Sequence, residues 1–139
     1  AYSLIGSQIE LQRIAAELEN KLRVSSANFL FVGLYITLGN SFIEEYFFRG
    51  FIFLNLHASG RPKTAYFFSS FLFALYHIAI FKNWFPLPIF LLALLGLIVV
   101  GLLFAWMDVK AQNVVNSWIA HALADSAIMI VGMRMFSMI

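Results

Sequence analysis

Residues 87–107 read LPIFLLALLGLIVVGLLFAWM, a run without one charged side chain. A transmembrane helix needs about 20 mostly apolar residues to cross about 30 Å of hydrocarbon. The run therefore reads as a membrane span, and the rest of the chain carries the same signature. Of 139 residues, 62% are hydrophobic and 12% charged, and the mean hydropathy is +0.86. Soluble domains are about 45–50% apolar and about 25% charged. So few charges cannot coat a water-facing surface. The composition excludes a soluble enzyme, a disordered tail and a nucleic-acid module, and it makes membrane lipid the solvent. The nine basic residues are scattered, with no run to grip phosphates. There are no cysteines, which removes disulfides and thiolate chemistry.

Working outward, Lys82-Asn83-Trp84-Phe85-Pro86 precedes the run as a turn with an interfacial Trp. Before it, Thr64 to Phe81 is a second apolar stretch rich in Phe and Tyr. His57-Ala58-Ser59-Gly60-Arg61-Pro62-Lys63 is a turn at headgroup level. The stretch from Phe29 to Leu56 is longer than the hydrocarbon is thick, so it must tilt, kink or emerge. On the other side, Asp108, Lys110, Gln112 and Asn113 read as a solvated loop, followed by a last stretch from Val114 to Phe136.

Residues 7–24 place Ile9, Ile14, Leu18 and Leu22 at roughly helical spacing, with Glu10, Arg13, Glu17 and Lys21 between them. They predict an amphipathic helix on the membrane surface or against neighbouring spans. The opening residues lack an apolar core and are not a signal peptide. The chain begins at Ala1, so it is read as a processed terminus or a piece of a longer protein. The expected fold class is all-α: a polytopic membrane helix bundle of about four transmembrane helices plus an N-terminal amphipathic helix. Residues 1–28 form the lead-in and residues 29–139 the core. Four passes put both ends on one side. Arg13, Lys21, Arg23, Lys82 and Arg134 collect there, against Arg61, Lys63 and Lys110 opposite. Five against three leaves the orientation open.

A charge at the bilayer centre costs at least about 2.5–3.5 kcal/mol, so ionisable groups in spans are functional suspects. The first span holds Glu44, Glu45 and Arg49. Glu45 and Arg49 stand four apart, about 40° around a helix, and can form an ion pair on one face. Glu44 stands about 140° from Arg49 and is left as the free carboxylate. A carboxylate poised between burial and a nearby cation suits general-base work; a purely structural charge cluster is the plainer alternative. His77 in the second span, alone, reads more readily as a packing residue than as a catalyst. His121 and Asp125 in the fourth span share a helix face; an internal His–Asp hydrogen bond is the plainer alternative there. Together these groups can converge on a hydrated pocket. With no Cys and no Ser–His–Asp arrangement, water is the expected nucleophile.

The three clusters, in this order, resemble the membrane CAAX prenyl endopeptidase family, the CPBP group of intramembrane proteases, which includes bacteriocin-processing and immunity-linked members. Glu44-Glu45 with Arg49 fits E-E-x-x-x-R, Phe73 with His77 fits F-x-x-x-H, and His121 with Asp125 fits H-x-x-x-N or D. The resemblance implies an endopeptidase hydrolysing a peptide bond in or at the membrane. It implies Glu44 as the base that activates water, helped by His77. His121 and Asp125 would steady the oxyanion, and Glu45 and Arg49 would be the supporting pair. Asp125 departs from the Asn of eukaryotic members. An ionised Asp cannot donate to an oxyanion, so Asp125 is expected to orient His121 by accepting its N–H.

The resemblance further implies a peptide or protein substrate, with prenylated ends as a candidate class. It implies a multi-pass protein of a prokaryotic plasma membrane, completed by additional spans or by an oligomer. The family has been described both as metal-dependent and as a glutamate-type protease. The expectation is no metal; if zinc is used, His77, His121 and Glu44 are its candidate ligands. Two rival functions use the same residues. One is a non-catalytic bacteriocin-immunity or scaffold protein with the motif as a polar core. The other is a proton or cation pathway, for which the third span offers no polar relay.

Overall fold

The computed structural model describes residues 11–136. Five helices follow one another, with no strand among the described residues. Helix α1 covers Leu11–Leu22. Helix α2 is a continuous rod over 29–58. Helix α3 covers Pro62–Phe81, α4 Leu87–Ala111 and α5 Val115–Met135. The start of the expected amphipathic helix, with Ile9 and Glu10, lies outside the described residues. The part that is described packs against α5 and buries Ile14.

Local sequence explains most of the boundaries. Gly60 ends the α2 rod at φ +79°, a left-handed turn open to glycine. Pro62 opens α3, where its missing N–H costs no helical bond. Helix α4 stops at Gln112, also left-handed, whose side-chain amide donates to the Val109 carbonyl at 2.7 Å. Helices α3, α4 and the 115–134 part of α5 are each long and apolar enough to cross a membrane. The protein is an integral membrane helix bundle. Large apolar side chains point outward along the spans, among them Phe31, Phe67, Leu92 and Leu123, as lipid contact requires.

The α2 rod is not uniformly α-helical. Two π segments, Tyr35–Asn40 and Tyr46–Leu54, bracket a short α-helical piece, Ser41–Glu45. A π turn breaks the normal i→i−4 ladder and often marks a functional site. Carbonyls in both segments recruit side-chain donors instead. Trp118 Nε1 on α5 donates to the Leu38 carbonyl at 3.2 Å, and Ser69 Oγ on α3 donates to the Phe48 carbonyl at 2.7 Å. Ser41 Oγ takes the Thr37 carbonyl and Asn55 Nδ2 the Phe51 carbonyl. The irregular winding is thus tied to both flanking helices, and the two adjacent glutamates are fixed between the ties.

Helix α4 packs on α2, α3 and α5, whereas α3 and α5 have no close backbone approach to each other. Helix α3 lies closest to α4 because small residues face each other. A Cβ on Gly101 would come within 2.9 Å of Ser70 Cβ and 3.1 Å of its Cα. The separation between α3 and α5 is bridged by side chains: Phe73 meets His121 edge-on at 5.7 Å, and the rings of His77 and His121 stand 6.3 Å apart. That cleft is floored by α2 and holds the ionisable groups.

Candidate active site

Glu44 and Glu45 leave the short α-helical piece in different directions, as adjacent residues on a helix must. Both are buried. Glu45 Oε1 accepts from Arg49 Nη1 at 3.2 Å and from His121 Nδ1 at 2.8 Å. The guanidinium is fully enclosed, its Cζ lying 4.0 Å from the Phe73 ring centroid and 5.3 Å from that of Phe104. Contact with aromatic faces suits a weakly hydrated cation in an apolar wall.

Glu44 faces the cleft. Asn40 Nδ2, one turn earlier, donates to Glu44 Oε1 at 2.5 Å. Glu44 Oε2 is buried and has no protein hydrogen-bond partner. It stands 3.6 Å from His77 Nε2 and 3.9 Å from His121 Nε2. The two imidazoles are held from behind. His77 Nδ1 lies 2.9 Å from the Phe73 carbonyl, which can only accept, so that nitrogen carries the proton. Its Nε2 then presents a lone pair to Glu44. His121 Nδ1 carries its proton toward Glu45 by the same logic.

The sequence-based expectation meets this geometry in part. Glu44, His77, His121 and Asp125 come together on one cleft, and Glu45 and Arg49 pair behind it. The acceptor that orients His121 is Glu45, however, and not Asp125, whose Oδ2 stands 3.8 Å from His121 Nε2. That distance exceeds a hydrogen bond. Asp108 also departs from expectation. The sequence reading puts it in a solvated loop, but α4 continues through Ala111 and Asp108 is fully buried, accepting from Ser117 Oγ at 2.8 Å. The charge-free run simply does not mark the end of its helix. Asn40 escapes the sequence reading, although its spacing of four from Glu44 puts both on one face. His57, expected at headgroup level, packs on Phe53 and Tyr66 near the end of the rod.

One comparison decides the family. A family model for type II CAAX prenyl endopeptidase, Rce1-like, matches residues 26–127. The chain belongs to the Rce1-like family. The matched range contains every residue of the cleft, from Asn40 to Asp125. Searches of curated proteins and of solved structures return no match. As a member of the Rce1-like family the chain is a membrane protein of a protease family.

The same cleft fits a zinc ion chemically. Glu44, His77 and His121 each offer one ligand atom within 4.8 Å of the others. Both histidines have Nδ1 committed to an oxygen, the arrangement that fixes Nε2 for a metal. Three protein ligands with a position left over are the pattern of catalytic rather than structural zinc. When bound, such an ion would supply Lewis-acid polarisation.

Proposed function

We propose that this Rce1-like chain is an intramembrane endopeptidase that hydrolyses a peptide bond with water activated by Glu44 and His77. One observation carries the reading. Glu44 Oε2 and His77 Nε2 are two acceptors facing each other at 3.6 Å. Two acceptors at that separation do not bond directly, and a water molecule, with two O–H donors, satisfies both.

In the proposed reaction, water adds to the scissile carbonyl carbon as Glu44 takes one of its protons. The carbonyl oxygen becomes the oxyanion of a tetrahedral intermediate. His121 Nε2 faces that position and donates to it as an imidazolium, while Glu45 and Asp125 offset the ring's positive charge. Glu44 then gives its proton to the departing amine, the C–N bond breaks, and an amine and a carboxylic acid leave. The 29–58 rod is the fourth span, which places both ends of the described chain on one side of a plasma membrane. Peptides with prenylated ends, the class in the family description, are the first substrates to try.

The test is cleavage of a fluorogenic lipidated peptide by the purified protein in liposomes. Wild type is expected to cleave and Glu44→Gln to be inactive while remaining folded. Cleavage at the wild-type rate by both Glu44→Gln and His77→Ala would end the proposal. Parallel assays with and without a chelator decide whether the cleft works as a carboxylate–histidine site or as a zinc site.

A further inference from the structure

Asp108 is the one carboxylate of the α4 span, and the proposed reaction does not use it. It is completely enclosed, as is its partner Ser117. An enclosed carboxylate in the most apolar helix is costly to keep, so its surroundings are informative. Ser117 Oγ lies 2.8 Å from Asp108 Oδ2, and Asp108 Oδ1 has no protein partner. Asp108 also interacts electrostatically with Arg49 and with Glu45. Arg49 leaves Nε and Nη2 without hydrogen bonds. Phe104, one turn before Asp108 on α4, covers the guanidinium.

These contacts form two chains that meet on α5. Arg49 holds Glu45, and Glu45 holds His121 Nδ1, with Phe104 of α4 lying over the guanidinium one turn before Asp108. His121 lies on α5 one turn after Ser117, and Ser117 donates to Asp108. Both α5 residues project from the same face. We infer that Asp108 is a positioning residue for His121, clamping α5 through Ser117 and fixing the Arg49–Glu45 pair from α4. In this arrangement the negative charge of Asp108 acts on Arg49 from α4. It stops the guanidinium from drawing Glu45 off His121, and it sets the depth at which α5 docks.

The catalytic arm of this inference rests on the proposed hydrolysis, so the test has a second arm that does not. The full chain, labelled with ¹⁵N-histidine and held in detergent micelles, reports the tautomer of each imidazole, with His121 assigned by His121→Gln. At a pH high enough to leave the ring neutral, wild-type His121 is expected to keep its remaining proton on Nδ1, toward Glu45. Asp108→Asn keeps the size and an acceptor for Ser117 but removes the charge. It is expected to give His121 mixed tautomers while the His77 signal is kept. On the peptide substrate kcat is expected to fall about 10–100-fold, the usual cost of removing a group that orients a site histidine, with KM unchanged. Asp108→Glu restores a single tautomer and part of kcat. Ser117→Ala, which removes only the clamp, shifts both readouts in the same direction by less.

A folded Asp108→Asn protein with an unaltered His121 tautomer overturns the inference, because a merely structural Asp108 would lower the thermal midpoint and leave the ring as it was. Should Asp108→Asn fail to fold, an unaltered His121 signal in Ser117→Ala overturns it equally. Absence of wild-type peptidase activity sinks the proposed function and leaves the tautomer arm to decide this inference.

Discussion

Glu45 Oε1 accepts from His121 Nδ1 at 2.8 Å, a bond between residues separated by 76 positions of chain. The same oxygen accepts from Arg49, one helical turn away. Its sequence neighbour Glu44 hydrogen-bonds to neither and stands between the two rings, 3.6 Å from His77 Nε2 and 3.9 Å from His121 Nε2. Two identical side chains thus divide the work: one holds the second histidine and the guanidinium, and the other is presented to the cleft. The two π segments on either side of Ser41–Glu45 keep that division in place by anchoring α2 to α3 and α5.

Glu44→Gln changes one oxygen to an amide and keeps the shape. The acceptor opposite His77 loses its ability to take a proton, so the peptidase rate is expected to fall by about 10²–10⁴-fold, the usual worth of a general base. Thermal unfolding followed by circular dichroism should stay within a few degrees of wild type.

Arg49→Met removes a fully buried cation and leaves Glu45 with His121 as its remaining partner. Breaking a buried ion pair by removing one partner costs about 3–5 kcal/mol, read as a large drop in the unfolding midpoint in detergent. Glu45→Gln combined with Arg49→Met is expected to recover part of the loss, since no lone charge is then left buried. Additive losses in the double variant would refute the pairing.

Gly101→Ala drives a methyl group to 2.9 Å from Ser70 Cβ, where α3 and α4 approach most closely. Overpacking of this kind costs about 1–3 kcal/mol. Ser70→Gly in the same chain should relieve part of it, because the methyl would then meet only the backbone of residue 70, at 3.1 Å. The measurement is the unfolding midpoint of the two single variants and the double.

Glu17 on α1 pairs with Lys21, and that bond holds its carboxyl below the usual value of 4.5. A depressed carboxylate stabilises the fold above its unfolded pKa, and the contribution is lost as pH falls through the folded one. The pair is open to water and screened by salt. Glu17→Gln is therefore expected to move the midpoint far less than Arg49→Met does. What small effect it has should vanish in high salt and fade as pH falls from 4.5 through the lower folded pKa.

Hydrophobic patterning made the spans legible: Leu87–Ala111 and Pro62–Phe81 begin or end within a few residues of the apolar runs. It misjudged Asp108 because a charge near the end of an apolar run looks the same whether the helix stops or continues. Periodicity does not mark the π segments, and two of the donors to their carbonyls, Ser69 and Trp118, stand on other helices. The bond from His121 to Glu45 rather than Asp125 is likewise a contact between helices, whereas Asn40 and Glu44 share one helix face at a spacing of four.

By itself the sequence determined the solvent, the helical class and the short set of ionisable side chains that lipid cannot tolerate singly, because transfer costs and helical periodicity are local properties of the chain. Which oxygen meets which nitrogen was decided only by tertiary structure. The rotation and depth of each helix depend on contacts such as Gly101 with Ser70 and Ser117 with Asp108, and no single helix carries that information.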